Sequence, residues 1–210
     1  MTEDTAPDQP VSPRRRGRPR TAPDQSETRA KLIRAGLAHL TERGYGASGV
    51  DEILSTAGVP KGSFYHHFGS KEAFASELIT AYDAYFLTVL DRNLDDTRRA
   101  PIDRLRAFAK DAEAGMARHG FRRGCLIGNL GQEMPNLPDS FRARLSAVLD
   151  GWQDRTEACL AQADVNGDPK ALAQLFWTGW EGAVLRARMV QGPEPLHAFT
   201  QSYFSLISKT

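Results

Sequence analysis

Residues 49–74 read GVDEILSTAGVPKGSFYHHFGSKEAF and hold two short helical patterns joined by a tight turn. Gly58 supplies a residue free to adopt positive φ in that turn, and Pro60 suits the first position of the second helix. Phe64 and Phe68 are four residues apart, so both point to one face of that helix and into a core. Two short helices joined by a glycine-containing turn predict a helix-turn-helix. The apolar face of the first helix consists of Val50, Ile53, Leu54 and Ala57.

The other face of the second helix carries polar and aromatic side chains. Lys61 and Tyr65 are also four residues apart and share a face, with Ser63 and His66 beside them. A helix in the major groove of DNA needs small or polar residues near base edges and cations near phosphates. A metal site is the alternative, but His66 and His67 diverge by about 100° on a helix and no further ligand stands at zinc spacing. We therefore predict a DNA-facing helix and no metal.

Residues that flank the two helices are expected to support the same contact. Ser48 and Asp51 fit a capping box at the start of the first helix. Ser70 is expected to cap the helix that follows the second one. Lys71 stands in the first turn of that helix, where a cation is unfavourable for the helix dipole, so we expect Lys71 to bind a phosphate.

The positive charge of the chain is concentrated near its N-terminus. Residues 14–71 hold 11 Lys and Arg against 5 Asp and Glu, whereas the whole chain has a net charge of only +1. A basic segment favours a polyanionic partner, although a solvated charged face has the same pattern. The proline-rich residues 1–25 contain the run RRRGRPR and are predicted to form a flexible arm. This arm can enter a DNA minor groove through Arg16, Arg18 and Arg20, or act only as a solubilising tail.

Composition predicts a soluble protein of the cytoplasm. Hydrophobic residues make up 40% of the 210, and no run of 18 apolar residues is present, so no membrane span is expected. The opening MTEDTAPDQP lacks the basic and apolar regions of a signal peptide. Cys125 and Cys159 cannot build a disulfide framework or a four-cysteine zinc site, so reduced thiols are expected.

The chain is predicted to be all-α, because no alternating strand pattern of useful length is present. The stripe of Ile33, Leu37 and Leu40 predicts a first helix at roughly 26–43. Prolines at helix starts divide the C-terminal part into helices, which are predicted at roughly 70–92, 101–118, 124–133, 139–163, 168–190 and 195–208. The predicted organisation is a flexible basic arm at 1–25, a helix-turn-helix domain at 26–71 and a second helical domain at 72–210.

The run at 49–74 resembles the DNA-binding segment of the TetR family of transcriptional regulators. A glycine turn, Lys-Gly-Ser, Tyr, His-Phe and Ser-Lys-Glu stand in the register of that family. The resemblance implies a homodimer with a near-palindromic operator, and a C-terminal domain for ligand binding and dimerisation. Gly49 departs from the family, in which an apolar or helix-forming residue is more usual. The DNA contacts that the resemblance implies are Ser48, Lys61, Ser63, Tyr65, His66 and Lys71.

A second informative stretch is FRRGCLIGNLGQEMPNLP at 121–138. It places three glycines in or beside one short helix, and an interior glycine costs about 1 kcal/mol relative to alanine. Close helix packing or a nearby small ligand must offset that cost. Cys125 and Asn129 share a face of this helix, and we predict that both contact a ligand. A small-residue packing surface with an inert, buried thiol has the same pattern.

The same stretch is similar to a segment of TetR-family members that respond to small electrophiles or unsaturated compounds, acrylate among them. The resemblance implies an effector such as acrylate or a related unsaturated carboxylate. A thiolate is a soft nucleophile and an activated alkene a soft electrophile, so Cys125 could add to the effector or only line a reversible pocket. Reversible binding suits a metabolite switch better.

A third stretch, LFWTGWEGAVLRARMV at 175–190, combines tryptophans with small residues at helical spacing. Trp177 and Glu181 lie on one stripe with Trp180 at its flank, and we predict that these three reach the ligand. Aromatic anchors beside small residues are also typical of helix packing and of a dimer interface.

Two other classes of protein were weighed against a ligand-responsive repressor. In an enzyme, Cys125 would be the nucleophile and His119 or Glu133 the base, but no phosphate-binding loop, nucleophile elbow or dinucleotide fingerprint is present. In an architectural DNA binder, the C-terminal half would only dimerise. The sequence favours a non-enzymatic regulator that has no cofactor.

Overall fold

The structure is a computed structural model that describes residues 25–208. These residues form nine α-helices and one short 3-10 helix, Met134–Asn136, and contain no β-strand beyond an isolated bridge between Val165 and Ser208. The predicted all-α class is therefore confirmed. The α-helices are α1 Gln25–Arg43, α2 Val50–Ala57, α3 Lys61–Phe68, α4 Lys71–Leu94, α5 Pro101–Ala117, α6 Leu126–Gln132, α7 Ser140–Leu160, α8 Pro169–Val190 and α9 Glu194–Ile207.

The first three helices and the start of α4 form a small head around a cluster of phenylalanines. Phe64 and Phe68 are buried, as their spacing predicts, and both rings contact Phe74, with centroids 5.0 and 4.7 Å away. The head core is completed by Leu32 and Ile53, which are fully buried. Aromatic pairs at this distance contribute beyond the area that they bury, so α3 is held rigidly on its inner face.

The turn between α2 and α3 is as the sequence predicts. Gly58 adopts the left-handed conformation, with φ of 64°, and ends α2. The predicted capping box at the start of α2 is wrong. The N-cap of α2 is Gly49, with no side-chain hydrogen bond, while Ser48 is fully buried and donates from its hydroxyl to the carbonyl of Gly44 at 2.6 Å. The predicted cap of α4 is confirmed, since Ser70 accepts from the N–H of Ala73 at 3.0 Å.

Helices α4 to α9 form a larger body with an aromatic core. Trp152 stacks near Phe86 and Trp177, with ring centroids 4.2 and 5.2 Å away. Phe108 and Phe176 extend this cluster towards α9. Helix α4 runs continuously from Phe74 in the head to Phe86 in this core, so one helix connects the two parts. None of the helices between residues 25 and 208 combines the length and apolarity that crossing a membrane requires.

Candidate DNA-binding face and effector cavity

The outer face of α3 gathers four of the residues that the sequence assigns to DNA. Lys61, Tyr65 and His66 are exposed, and Ser63 is half-buried beside them. The ring of Tyr65 packs edge-on against Phe64, with centroids 5.3 Å apart, which orients it outwards. Lys61 forms an ion pair with Asp51 of α2 at 2.9 Å, and this hydrogen bond raises the pKa of Lys61. The face is thus positive, polar and aromatic, with a firmly packed back.

Two other residues assigned to DNA make internal contacts instead. Ser48 is buried, and its hydroxyl donates to the carbonyl of Gly44, so it is unavailable at the surface. Lys71 donates to the carbonyl of Tyr45 at 2.8 Å and lies 4.3 Å from the centre of the Tyr45 ring. Partial burial lowers the pKa of Lys71. Lys71 therefore anchors the loop between α1 and α2. The arm with Arg16, Arg18 and Arg20 lies outside the described residues.

A cavity of about 810 Å³ lies between the head and the body. Helices α1, α4, α5 and α8 line it, together with the segment before α6. Ligand cavities commonly enclose about 300–1,000 Å³, so this one can hold a small organic molecule with room to spare. Leu37 and Thr41 of α1 form part of its wall. A bound molecule would therefore contact the first helix of the head directly.

Three titratable side chains, Tyr82, Cys125 and Glu181, lie together in the wall of the cavity and influence one another's protonation. Burial raises the pKa of Glu181 to about 7. Burial, with the nearby Glu181 carboxylate, raises the pKa of Cys125 well above its ordinary value. The thiol is therefore protonated near neutral pH, and it is not a ready nucleophile.

The absence of a side chain at Gly128 leaves room for the Glu181 carboxyl group beside Cys125. A Cβ added to Gly128 would overlap the carboxylate oxygen Oε2 of Glu181. The backbone N–H of Gly128 also points at the sulfur of Cys125, 3.5 Å away. Cys125 is the N-cap of α6, so the first turn of this helix forms a floor beneath the thiol and the carboxyl group.

The opening of the cavity is positively charged. The arginines that line it are Arg34, Arg92, Arg118 and Arg123. Arg92 is paired with Asp111 at 2.7 Å and Arg123 with Glu42 at 3.7 Å, whereas Arg34 and Arg118 have no ion pair within residues 25–208. His119 lines the same wall, and its pKa is lowered by burial and by neighbouring arginines. An anion would thus be attracted to the opening.

Two residues assigned to the ligand lie outside the wall of this cavity, and their contact with a ligand stays a prediction. The indole N–H of Trp177 donates to the hydroxyl of Thr156 at 3.0 Å inside the body core. Asn129 is buried between the head and the body, where its amide donates to the carbonyl of Thr41 at 2.9 Å. The other three, Cys125, Trp180 and Glu181, do line the cavity.

A network of polar contacts joins α6 and α8 to the end of α1. Arg188 donates to the side-chain oxygen of Asn129 at 2.7 Å and to the carbonyl of Glu42 at 2.8 Å. Glu133 accepts from the backbone N–H groups of Tyr45 and Gly46, at 2.9 and 2.7 Å. We call these three side chains, Asn129, Glu133 and Arg188, the head clamp. They hold both sides of the α1–α2 junction from the body.

Tyr82 and the clamp residue Glu133 are the functional candidates that sequence reasoning missed or misassigned. Tyr82 stands in an ordinary helical pattern, and its partner Cys125 is far away in the chain. The sequence suggests Glu133 only as a catalytic base, but its carboxylate accepts hydrogen bonds from the α1–α2 loop, and Glu133 caps the C-terminal end of α6, two turns from Cys125. His119, the other candidate base, shares the cavity with Cys125.

The outer face of α8 and α9 is apolar and contains small residues. Met189 and Val190 of α8 and Leu206 of α9 are exposed, with 76%, 58% and 54% of their surface accessible. A shallow groove on this face is lined by Gly179 and Gly182 of α8, among others. These are the features of a helix-packing interface left uncovered in a single chain.

Two family models match the chain, one over the head and the other over the body. A model of "Bacterial regulatory proteins, tetR family" matches residues 32–78, and one of "Tetracyclin repressor-like, C-terminal domain" matches residues 101–203. The transcriptional regulator AcuR of Cereibacter sphaeroides is 57% identical over 206 residues, covering 95% of this chain and 94% of that protein. The chain belongs to the TetR family. The resemblance drawn from residues 49–74 is thereby confirmed.

Solved structures of TetR proteins have the same fold. A crystal structure of a regulatory protein TetR from Rhodobacter sphaeroides superposes with a TM-score of 0.84 at 55% identity, covering 86% of this chain and 99% of that one. The reduced form of Escherichia coli NemR superposes with a TM-score of 0.74 at 28% identity, covering 87% and 98%. As a TetR protein, this chain is a DNA-binding transcription regulator with a helix-turn-helix.

Proposed function

We propose that the chain is a homodimeric repressor that binds a near-palindromic operator through α3 and leaves it when a small unsaturated carboxylate, such as acrylate, enters the cavity. One observation carries this proposal. The wall of the cavity includes Leu37 and Thr41 of α1, so the same cavity touches the body and the DNA-binding head. A ligand shifts a conformational equilibrium only through different affinities for the two states, and contact with both parts provides such a difference.

The exposed face of α3 supports the DNA contact. Lys61 meets phosphates once its ion pair with Asp51 exchanges for DNA, while Ser63, Tyr65 and His66 face bases and sugar-phosphates. The arginines of the N-terminal arm, Arg16, Arg18 and Arg20, add minor-groove contacts. In a two-fold symmetric dimer, two such helices must lie about 34–36 Å apart to meet successive major grooves.

The outer face of α8 and α9 supports the dimer. Exposed Met189, Val190 and Leu206 would be covered by the same face of a second chain, as two-fold symmetry requires. Glycines in the groove of this face let the helices approach closely. Burial of this face would fix the separation of the two heads, which is the quantity that an effector has to change.

The charge distribution of the cavity supports an anionic effector. Four arginines attract an anion at the opening, and Phe86, Val89 and Trp180 offer apolar contact to a carbon chain. The volume of about 810 Å³ exceeds the needs of a three-carbon acid, so longer unsaturated acids also fit. Reversible binding is favoured over a thiol-based electrophile sensor, because burial keeps the Cys125 thiol protonated.

The test is fluorescence anisotropy of labelled DNA from upstream of the gene that encodes the chain, titrated with protein and then with acrylate. We expect tight binding that acrylate reverses. Tight binding that acrylate and longer unsaturated acids leave untouched would retain the regulator and reject the effector class. Propionate serves as the saturated control, because it keeps the carboxylate and removes the alkene.

A further inference from the structure

We propose that Glu181 is protonated when the effector carboxylate binds beside it, so that each binding event takes up one proton from solution. This inference rests on the proposed anionic effector. Glu181 would thereby be the residue that couples effector affinity to pH and that selects a hydrogen-bond acceptor at the inner end of the cavity.

The position of Glu181 is the first argument. Its carboxyl group lines the cavity wall, lies against Gly128 and is close to the Cys125 thiol. Within residues 25–208, no Lys, Arg or His forms an ion pair with it. Glu181 is half-buried, and a carboxylate that is largely removed from water without a cation beside it is costly, so protonation is the ordinary way to reduce that cost.

The groups that face Glu181 do not supply a compensating charge. Tyr82 of α4 and Cys125 at the start of α6 are both neutral near pH 7, since their ordinary pKa values of 10.0 and 9.0 already lie above 7 and burial raises both further. His119, between α5 and α6, is neutral for the opposite reason, since burial and neighbouring arginines lower its pKa.

The remaining charges belong to the opening of the cavity. They are Arg34 of α1, Arg92 of α4 with its partner Asp111, Arg118 at the end of α5, and Arg123. None of them appears among the causes that shift the pKa of Glu181, which is about 7 and raised chiefly by burial. The arginines can therefore draw an anion in, but they do not neutralise Glu181.

Binding of an anion then forces the protonation. Two carboxylates in one enclosed site repel each other strongly, and such pairs share a proton. Solvent supplies a proton to Glu181, the resulting O–H donates to the effector carboxylate, and the proton returns to solvent when the effector leaves. Protonated Glu181 therefore donates a hydrogen bond to a carboxylate oxygen of the effector, which ionised Glu181 could not do.

The expected pH dependence follows from this balance. Below pH 7 Glu181 already holds its proton, so acrylate binds without proton exchange and with an affinity independent of pH. Above pH 7 the proton must be taken up, so the Kd should rise by about tenfold for each pH unit. A cavity that used ionised Glu181 to hold a cation would show the reverse trend.

The experiment is isothermal titration calorimetry of the full chain with sodium acrylate, in phosphate and Bis-Tris buffers at pH 6 and in phosphate and Tris buffers at pH 8. Because the two buffers differ in ionisation enthalpy, the difference in heat counts the protons exchanged. We expect uptake of about one proton per chain at pH 8 and almost none at pH 6. In Glu181→Gln, uptake should vanish and the Kd should no longer depend on pH. His197→Gln removes a titratable group of α9 that lies outside the cavity and should leave the uptake in place.

Four results would overturn the inference. Binding without proton uptake at pH 8, or binding that strengthens as pH rises, would reject the proton on Glu181 while retaining the effector. Uptake that persists in Glu181→Gln would assign the proton to the effector or to another group. Absence of acrylate binding at both pH values would reject the effector class itself, and the inference with it. A helical circular dichroism spectrum of Glu181→Gln controls for folding.

Discussion

The guanidinium group of Arg188, on α8, donates a hydrogen bond of 2.7 Å to the side-chain oxygen of Asn129, on α6. Asn129 in turn donates to the end of α1, and Arg188 donates to the carbonyl of Glu42 there. α6 begins at the Cys125 cap that forms the floor of the cavity. A displacement of that floor by an effector therefore reaches the head through side chains that contact it directly.

Arg188→Met is expected to uncouple the effector from DNA. The substitution removes the guanidinium group and leaves the Glu42 carbonyl and the Asn129 oxygen without their charged donor, at a cost of about 1–3 kcal/mol. Acrylate should still bind, but saturating acrylate should change the operator Kd less than twofold, against the roughly 5–150-fold expected for typical coupling. Operator titrations with and without acrylate measure this. Arg142→Met, at an exposed arginine of α7, is the control, and equal coupling in both variants would contradict a role for Arg188.

Glu133→Gln is expected to weaken operator binding without unfolding the chain. The carboxylate accepts from two backbone N–H groups of the α1–α2 loop, and glutamine presents an N–H₂ group to one of them. Loss of a charge-assisted bond of this kind costs about 1.5–3 kcal/mol, or roughly a tenfold to hundredfold rise in Kd if the whole cost falls on the DNA-bound orientation. Gln132→Ala, at the exposed neighbouring position, should leave the Kd unchanged. A normal Kd for Glu133→Gln would make the loop contact irrelevant to DNA binding.

Two glycines of α6 give a matched pair. Gly128→Ala places a methyl group on Oε2 of Glu181 and should destabilise the chain by about 1–3 kcal/mol, because overpacking shifts the carboxyl group or the helix. A Cβ at Gly131 meets open space, so Gly131→Ala should stabilise α6 by up to about 1 kcal/mol. Urea unfolding of both variants measures the difference. Equal effects would show that the close approach of Glu181 is not maintained in solution.

Glu181→Gln should stabilise the unliganded chain at pH 8. Burial raises the pKa of Glu181 from an ordinary 4.5 to about 7, so the folded chain holds a proton that the unfolded chain has released between these values. Stability from this group therefore falls as pH rises from about 4.5 to 7 and is lowest above 7, by up to about 3 kcal/mol. Thermal unfolding at pH 8 should show a higher Tm for the variant, and the two curves should converge near pH 5. A difference in Tm between the variant and the original chain that is the same at pH 5 as at pH 8 would contradict the raised pKa.

Lys61→Ala and Tyr65→Ala should each weaken operator binding while the head stays folded, since both side chains are exposed on α3. Lys61→Ala should also reduce the slope of log Kd against log salt by about 1, as expected for one lost phosphate contact. Lys170→Ala, on exposed α8 surface far along the chain, is the control. Unchanged affinity in both α3 variants would reject this face as the DNA contact.

The sequence predicted the local features of the fold well. The spacing of Phe64 and Phe68 predicted the buried side of α3, and Gly58 predicted the turn, because each depends on residues within one or two helical turns. Helix boundaries followed from prolines and capping residues such as Ser70. The predicted capping box at Ser48 was wrong although it is also a local feature, because a capping signal does not tell whether the hydroxyl faces the helix or another carbonyl.

The cavity could be predicted only in part. Cys125 and Glu181 stood out through glycines and helical spacing, and both line the wall. Asn129 and Trp177 had the same spacing but bond to Thr41 and Thr156, partners that lie 88 and 21 residues away. The rotation of a helix about its axis depends on such distant contacts, and a single sequence does not contain that information.

All three tryptophans of the chain, Trp152, Trp177 and Trp180, belong to the body, and residues 1–151 contain none. Two of them lie side by side in the core, and Trp180 forms part of the cavity wall. The tryptophan emission of the protein therefore arises entirely within the body, and the emitting side chains of the DNA-binding head are tyrosines, Tyr45 and Tyr65. A change in tryptophan fluorescence therefore reports filling of the cavity separately from departure of the DNA.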